Sequence, residues 1–444
     1  MKVITRFAPS PTGNLHIGSI RTALFNYLFT KKNDGQYLLR IDDTDKMRSK
    51  KEYEENILEG FKKVGLLWDN ERLIRQSERT AIYKKYIEKL LAEDRAFISK
   101  EKDVAEGERA EVIRLRNPNK EVIFSDLIRG EVKFNTTELG DFVIAKSLEE
   151  PIYHFANVVD DFEMMITHVI RAEEHLSNTP RQILIQEAIG APRPIYGHIP
   201  MILAPDRSKL SKRQGATALT DYIENGYLPE AILNYLAFLG WNPGGEQEIF
   251  SLSELVKIFD LEKVQKAGAI FSIEKLNWYN HQYISKSSDE DLTAHASIFV
   301  PEWMITSSDI FKRLLPTLRE KIITLKDIST LLTADGELGF VHKTHDYRSD
   351  HLLWKKNPVA ETAHSHLTQV RQLLEALSED SFLTDFIKGA IWDYVEANGK
   401  GDVLWPLRMA LTGQDRSPDP FTCAFILGKE ESLKRIDNAL QKLA

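Results

Sequence analysis

Four cations lie within ten residues of an otherwise acidic chain. The segment DRSKLSKRQG, positions 206–215, belongs to a sequence with a formal net charge of -8. Lys209 and Lys212 are three residues apart, and Arg213 follows directly. Lysine is a compact charge on a flexible stem that can reach into a triphosphate, and Gly215 would leave the loop mobile. The segment is a candidate phosphate-binding loop, although a charge run by itself is usually a solvated surface.

A second candidate phosphate site lies near the N-terminus. PSPTGNLHIGS places Gly13, His16 and Gly18 between a β-branched segment and an amphipathic one. Glycines let the backbone approach a ligand closely, helix N-terminal amides attract phosphate, and His16 would add a hydrogen-bond donor. A tight turn with a capping histidine would explain this segment alone. Its combination with KLSK about two hundred residues later is more specific and indicates nucleotide chemistry.

The elements around the first segment predict where its ligand binds. VITRFA has the composition of a strand, PSPTGN breaks it, and Ile20, Leu24, Tyr27 and Leu28 recur at helical spacing. A strand, a tight loop and a helix open a parallel α/β sheet, and the loop falls where such sheets bind ligands. YLLRIDDTD predicts a second strand, and helical patterns dominate from Pro229 onward.

Composition excludes several classes of protein. A chain of 444 residues is expected to form more than one domain. A single cysteine, Cys423, excludes an internal disulfide and a thiolate-rich zinc site, which suits the cytosol. The N-terminus has no apolar signal region, and the apolar stretches are too short to span a bilayer, so no membrane partner is expected. The acidic balance argues against indiscriminate nucleic-acid binding but permits a local basic surface.

Motifs along nearly the whole chain resemble one family. RFAPSPTG with LHIG, LRIDDTD, THVIRAEEHLSNTP, SKLSKRQGA and LRMALTG occur in the order found in bacterial-type glutamyl-tRNA synthetases, which are class I aminoacyl-tRNA synthetases. The resemblance implies a Rossmann-type parallel-sheet catalytic domain split by an α+β insertion and followed by all-α C-terminal domains. The boundaries it implies are 1–81 and 154–204 for the two catalytic halves, 82–153 for the acceptor-end-binding insertion, 205–290 for the KLSKR loop and helical stem-contact domain, and 291–444 for the helical anticodon-binding region.

The resemblance also implies a reaction and its partners. ATP with Mg²⁺ would activate L-glutamate to glutamyl-adenylate, and the glutamyl group would pass to the 3′ end of tRNA-Glu. Whether tRNA-Gln is a second acceptor stays open, and enzymes of this kind need bound tRNA for efficient activation. The family habit predicts a cytoplasmic monomer. Because the short insertion lacks cysteine, we expect no structural zinc.

Site residues follow from the matched motifs. The resemblance assigns catalytic roles to His16, Lys209 and Lys212, and ATP binding to these three with Gly18, Ser211 and Arg213. It assigns glutamate binding to Arg6, Ala8, Ser10, Asp42, Tyr153, Asn157, Arg171 and Glu174. A γ-carboxylate favours a planar bidentate cation, so Arg171 is the expected main partner, and Asp42 would meet the ammonium group. For either Arg6 or Arg171 taken singly, a structural ion pair is the alternative.

Two alternatives remain open, and a third is excluded. In a glutaminyl-tRNA synthetase, the neutral carboxamide would leave Arg171 without a counter-charge, and such enzymes resemble β-barrel proteins in their C-terminal region. An inactive tRNA-binding paralogue would lack ATP chemistry despite intact motifs. A tRNA-modifying glutamyl transferase is excluded by the long segment that follows KLSKR.

Overall fold

The chain forms two compact units, Met1–Tyr279 and Asn280–Ala444. The computed structural model describes residues 2–101, 111–210, 218–342 and 346–444. Within these ranges no helix is both long and apolar enough to cross a membrane. The finer domain boundaries expected inside the first unit stay a prediction.

A parallel sheet opens the first unit. Its strands are β1 (Ile4–Phe7), β2 (Gln36–Ile41) and β3 (Ile74–Arg75), with β2 in the middle. All four residues of β1 are buried, as expected for a parallel strand covered on both faces. The strands predicted for VITRFA and YLLRIDDTD are therefore confirmed, and they are direct neighbours.

Three helices accompany this sheet: α1 (Ile17–Lys32), α2 (Lys51–Lys63) and α3 (Thr80–Ala92). Ile20, Leu24 and Leu28 on α1 have no exposed surface, while Tyr27 is half-buried. The predicted apolar face of α1 thus packs into the main core together with Phe7 of β1. This packing fixes the loop between β1 and α1.

A second sheet lies beside β1. In spatial order its strands are β10 (His168–Ala172), β11 (Ile195–Ile199), β6 (Glu121–Asp126) and β7 (Gly130–Asn135). The first three are parallel, and β7 is antiparallel to β6. The amide of Thr167 donates to the carbonyl of Ile4 at 3.0 Å, which brings β10 next to β1. Phe7 at the carboxyl end of β1 and Ala172 at that of β10 line one cavity, so these ends open toward the same side.

The expected insertion is divided between two sheets. An antiparallel sheet of its own contains β4 (Ala96–Lys100), β5 (Glu111–Leu115), β8 (Phe142–Ser147) and β9 (Glu150–Pro151). The β6–β7 hairpin instead extends the second sheet, with Asp126 opposite Tyr196. Alternate residues of β6 are buried, Val122, Phe124 and Asp126, so one face of the hairpin packs inward. Part of the expected insertion thereby belongs to the second sheet, with β10 and β11.

Shorter elements complete the first unit. They are α4 (Tyr153–Glu163), α5 (Thr179–Ile189), α6 (Leu219–Glu224), α7 (Pro229–Phe238), α8 (Leu252–Ile258) and the parallel strand pair β12 (Ile202–Leu203) and β13 (Ala269–Ile270).

The second unit is helical, as the sequence predicts. Helix α9 (Ile273–Lys286) runs from the first unit into the second. The remaining helices are α10 (Asp289–Ala296), α11 (Asp309–Lys321), α12 (Asp327–Leu331), α13 (Ala360–Glu375), α14 (Thr384–Asn398), α15 (Lys400–Thr412), α16 (Pro420–Leu427) and α17 (Lys429–Leu443). Among the described residues after 280, the extended backbone pairing is limited to an isolated bridge between Trp354 and Asn357.

Candidate active site

One cavity of about 570 Å³ lies at the carboxyl ends of β1 and β10, beside the N-terminus of α1. Ligands bind at this edge of open α/β sheets. The residues expected from the sequence that line it are Arg6, Ala8, Ser10, Gly13, His16, Gly18, Tyr153, Asn157, Arg171, Glu174 and Lys209. Ser211, Lys212 and Arg213 lie outside the described residues, so their expected roles stay predictions.

His16 caps α1 and still faces the cavity. Its Nδ1 accepts a hydrogen bond from the amide of Gly18 at 3.0 Å, so the capping role considered as an alternative is present. Burial, and then the charge of Lys209, lowers the pKa of His16, which keeps the ring neutral. Because Nδ1 accepts, the proton of the neutral ring lies on Nε2. His16 can therefore cap the helix and donate from Nε2 to a ligand at once.

The segments on either side of residues 211–217 are fixed by backbone contacts. Ala218 forms an antiparallel bridge with His16, and the amide of Leu219 donates to the carbonyl of Leu15 at 2.8 Å. On the other side, Lys209 forms a bridge with Leu203 of β12. The two motifs that the sequence singled out thus border one cavity.

Lys209 is paired with Glu174 across the cavity mouth. Its Nζ lies 2.6 Å from Glu174 Oε2, and this hydrogen bond lowers the pKa of the carboxyl group. Both side chains are about half exposed, at 64% and 46%. An exposed ion pair of this kind stabilises the fold by roughly 0–1 kcal/mol. An anionic ligand can therefore readily replace Glu174 as the partner of Lys209.

Arg6 is held by a buried aspartate at the floor of the cavity. Its Nε and Nη2 donate to the two carboxylate oxygens of Asp161 at 2.9 and 3.2 Å. Arg40 also donates to Asp161, at 2.8 Å, and this pair of arginines lowers the pKa of Asp161 despite its burial. The ion pair considered as an alternative for Arg6 is thus present, although Arg6 also lines the cavity.

Asp42 lies behind the cavity wall and does not line the cavity. Arg40 Nε donates to it at 2.6 Å, and Asn157 Nδ2 donates at 3.4 Å. The side chain is 2% exposed. Asn157 does line the cavity, so it stands between Asp42 and a bound ligand. The expected contact of Asp42 with the substrate ammonium stays a prediction. This geometry favours an indirect contact, in which Asn157 bonds to Asp42 and meets the ligand.

Arg171 differs from Arg6 because its described partners are all neutral. Nε donates to His198 Nε2 at 3.2 Å, and Nη2 donates to Thr179 Oγ1 at 2.9 Å and to the carbonyl of His175 at 3.4 Å. Nη1 is buried and has no hydrogen-bond partner. The side chain is 5% exposed, and burial lowers its pKa. Arg171 is thus a buried cation with one donor group left over, and it lines the cavity.

Sequence reasoning missed several residues around Arg171. His175 lines the cavity with its ring 6.0 Å from that of Tyr153. Arg21, on the first turns of α1, also lines the cavity, and its Nη1 donates to the carbonyl of Pro200 at 3.0 Å. The sequence signal for His175 was its position in THVIRAEEHLSNTP, next to Glu174, and the signal for Arg21 was its position three residues after Gly18. His198 carried no such signal.

Gly18 has no room for a side chain. A Cβ built there would lie 2.7 Å from His16 Cε1 and 3.0 Å from His16 Nδ1. We therefore expect Gly18→Ala to displace the imidazole and lower the turnover of ATP–pyrophosphate exchange at least about tenfold, because small misplacements of a catalytic donor are expensive. Gly389→Ala is the matched control, since a Cβ on that helix meets nothing within 4 Å. Unchanged exchange in Gly18→Ala would contradict the placement of His16.

The buried, neutral side chain of His175 predicts that the stability of the first unit depends on pH. Burial, and then the charge of Arg171, lowers the pKa of His175 to about 4 from 6.5. Between pH 4 and 6.5, His175 is protonated in the unfolded chain but neutral in the folded chain. Stability from His175 is therefore complete above pH 6.5 and is lost as the pH falls toward 4. The urea midpoint of the first unit, followed through hydrogen exchange of the β1 and β2 amides, should fall less steeply from pH 7 to 4.5 in His175→Gln than in the parent. Equal slopes would contradict the assignment.

Metal ligands do not cluster in the described parts of the chain. Within them, no group of three or more His, Cys, Asp or Glu side chains is arranged to hold a metal ion. The expectation of no structural zinc stays a prediction.

Comparisons with known proteins agree with the fold. The family model for the catalytic domain of class I tRNA synthetases (E and Q) matches residues 2–110 and 98–278, and an anticodon-binding-domain model matches residues 290–440. The fold and the family models thus define a class I tRNA synthetase, a class whose membership implies use of ATP.

Individual relatives narrow this class. The glutamate–tRNA ligase of Aquifex aeolicus is 40% identical, with 100% of both chains covered, and glutamate–tRNA ligase 2 of Caldicellulosiruptor saccharolyticus is 39% identical, with 99% of both covered. A crystal structure of a glutamate tRNA ligase from Elizabethkingia meningosepticum in complex with its amino acid is 33% identical, with a TM-score of 0.85 over 100% of both chains. The chain belongs to the glutamate–tRNA ligase family. The helical second unit and these relatives favour this family over the glutaminyl alternative.

Proposed function

We propose that the cavity activates L-glutamate with ATP and that Arg171 holds the γ-carboxylate of the amino acid. The observation that carries this proposal is the state of Arg171: a buried guanidinium, bonded to neutral groups, with Nη1 unpartnered. A carboxylate supplies the missing acceptor and the missing charge together, because Nη1 can donate a charge-assisted hydrogen bond to one of its oxygens. A carboxamide would supply an acceptor without the charge.

The nucleotide fits at the other end of the cavity. His16 Nε2, the N-terminus of α1 at Gly18 and the ammonium of Lys209 border this end, and all three favour phosphate. Mg²⁺ is usually held through substrate phosphates with few protein ligands, so we propose that it enters with ATP. In this proposal the phosphates take Lys209 away from Glu174.

The chemistry needs positioning and charge neutralisation more than covalent help. The α-carboxylate oxygen of glutamate bonds to the α-phosphorus of ATP while the bond to the β-phosphate bridge oxygen breaks and pyrophosphate leaves. His16 and Lys209 would stabilise the negative charge that builds on the phosphoryl oxygens, with Lys212 and Arg213 added by the family resemblance. The terminal ribose hydroxyl of tRNA then takes the glutamyl group, and AMP leaves.

The acceptor tRNA, the cytoplasmic location and the monomeric state belong to the same proposal. The test is attachment of radiolabelled glutamate, and separately glutamine, to purified tRNA-Glu and tRNA-Gln with ATP and Mg²⁺. Glutamate on tRNA-Glu is the expected result. Glutamate on tRNA-Gln as well would define a second acceptor. Glutamine attachment would overturn the role of Arg171, and no attachment to either tRNA would support the inactive paralogue.

A further inference from the structure

A buried relay connects Arg171 to the β6–β7 hairpin. Arg171 Nε donates to His198 Nε2 at 3.2 Å, and His198 Nδ1 lies 2.6 Å from Asp126 Oδ2. His198 lies on β11 and is 0% exposed, and Asp126, which ends β6, is 2% exposed. The strands β11 and β6 meet at Asp126, so the sheet itself sets the spacing of the relay.

The hydrogen bonds fix which nitrogen of His198 carries the proton. Arg171 Nε can only donate, so His198 Nε2 must accept, and the proton of the neutral ring lies on Nδ1 and points to Asp126. Burial lowers the pKa of His198. The hydrogen bond from His198 and the backbone amides of Ile128 and Arg129 lower the pKa of Asp126 although burial opposes them. The relay is thus an ionised aspartate, a neutral imidazole and a cationic guanidinium.

We propose that Asp126 and His198 are positioning residues that lock the guanidinium of Arg171 for the side-chain carboxylate of glutamate, and so contribute to the choice of glutamate over glutamine. This inference rests on the proposed role of Arg171. The relay holds Nε from behind and leaves Nη1 for the ligand. The charge of Asp126 lies two hydrogen bonds away, so it supports the cation without occupying its binding face.

Asp126→Asn tests the relay with little change of shape. Asp126 Oδ1 accepts from the amides of Ile128 and Arg129, both at 2.9 Å, and an amide oxygen can keep these bonds. The amide NH₂ then faces His198 Nδ1 and forces the ring proton to Nε2, against the N–H of Arg171. Flipping the amide would instead set its NH₂ against the backbone amides of Ile128 and Arg129 and against that of His198, which donates to Oδ1 at 3.2 Å. Either way a buried donor loses its acceptor, which costs about 1–3 kcal/mol.

Among the kinetic constants, the expected change is in glutamate binding alone. The KM for glutamate should rise about tenfold or more in tRNA-dependent ATP–pyrophosphate exchange, because a displaced guanidinium of Arg171 no longer meets the γ-carboxylate in the right geometry. The KM for ATP should stay within about twofold, and glutamate-over-glutamine preference should fall. Asp141→Asn is the matched control, because Asp141 lies just before β8 and its Oδ1 accepts from the backbone amide of Asn117 at 2.8 Å. A parallel rise of both KM values with a lower melting temperature would mean a merely structural role and overturn the proposal.

Two variants of His198 test whether this residue positions Arg171, even if Asp126→Asn fails to fold. Glutamine places an amide where Nε2 lies and can still accept from Arg171, whereas asparagine places one where Nδ1 lies and reaches only Asp126. Positioning predicts that His198→Gln keeps glutamate KM closer to the parent than His198→Asn does. The reverse order would overturn the proposal. If Arg171→Ala itself leaves glutamate KM unchanged, the proposed function fails first; if only the relay variants are silent, the relay alone is wrong.

Discussion

Arg171→Ala raises the KM for glutamate about a hundredfold or more, in our expectation, and leaves the KM for ATP near the parent value. Removing one partner of a buried, hydrogen-bonded charge pair costs about 2–5 kcal/mol, and the bound γ-carboxylate would be left without its cation. The ligand-free protein should lose little stability, because Arg171 has no described carboxylate partner of its own. A large loss of affinity without a loss of folding is therefore the signature of a ligand-binding arginine.

The measurement is tRNA-dependent ATP–pyrophosphate exchange at varied glutamate, with thermal unfolding measured in parallel. Arg193→Ala is the matched control, because Arg193 lies just before β11 and bonds to the carbonyl of Ile123 and to Glu187, away from the cavity. The preference for glutamate over glutamine should also shrink in Arg171→Ala, since the uncompensated cation no longer penalises the carboxamide. Glutamate saturation at parental concentrations would remove the basis of the γ-carboxylate assignment.

Local patterns were sufficient for the first elements of the fold. Strand-like composition next to turn residues predicted β1 and β2, and period-3.6 spacing predicted α1, because burial on one helix face imposes this period directly. The motifs also placed the lining residues His16, Arg171 and Lys209 in one site through the resemblance. Both kinds of inference use information that lies within a few residues of the position concerned.

The remainder depends on pairings between distant segments. Asp126 and His198 are 72 positions apart. Their contact exists because β6 leaves the insertion and pairs with β11, and no local pattern around either residue indicates this. The resemblance likewise assigned Asp42 to the ligand, and nothing local indicated that Arg40, two residues earlier, turns toward it inside the core. Strand order and side-chain direction decided both cases, and a single sequence specifies neither locally.

The same buried charges support the second large effect: Asp161→Ala should destabilise the first unit by about 3–5 kcal/mol. Asp161 accepts from Arg6 at 2.9 and 3.2 Å and from Arg40 at 2.8 Å. Arg40 would still have Asp42, but Arg6 would be left with no described carboxylate partner in a site where it is 4% exposed. An unpaired buried guanidinium cannot lose its proton near neutral pH, so the whole desolvation penalty falls on the folded state.

The loss has to be measured within one unit, because a chain of two units need not unfold in a single transition. Hydrogen exchange of the β1 and β2 amides in low urea reports the first unit, and the amides of α13 give an internal reference. Glu55→Ala removes an exposed pair with Lys51 and should change protection by less than about 0.5 kcal/mol. If Asp161→Ala were as mild as this control, Arg6 would have to find another counter-charge or reach water. The part of the cavity around Arg6 would then be more adaptable than its hydrogen bonds imply.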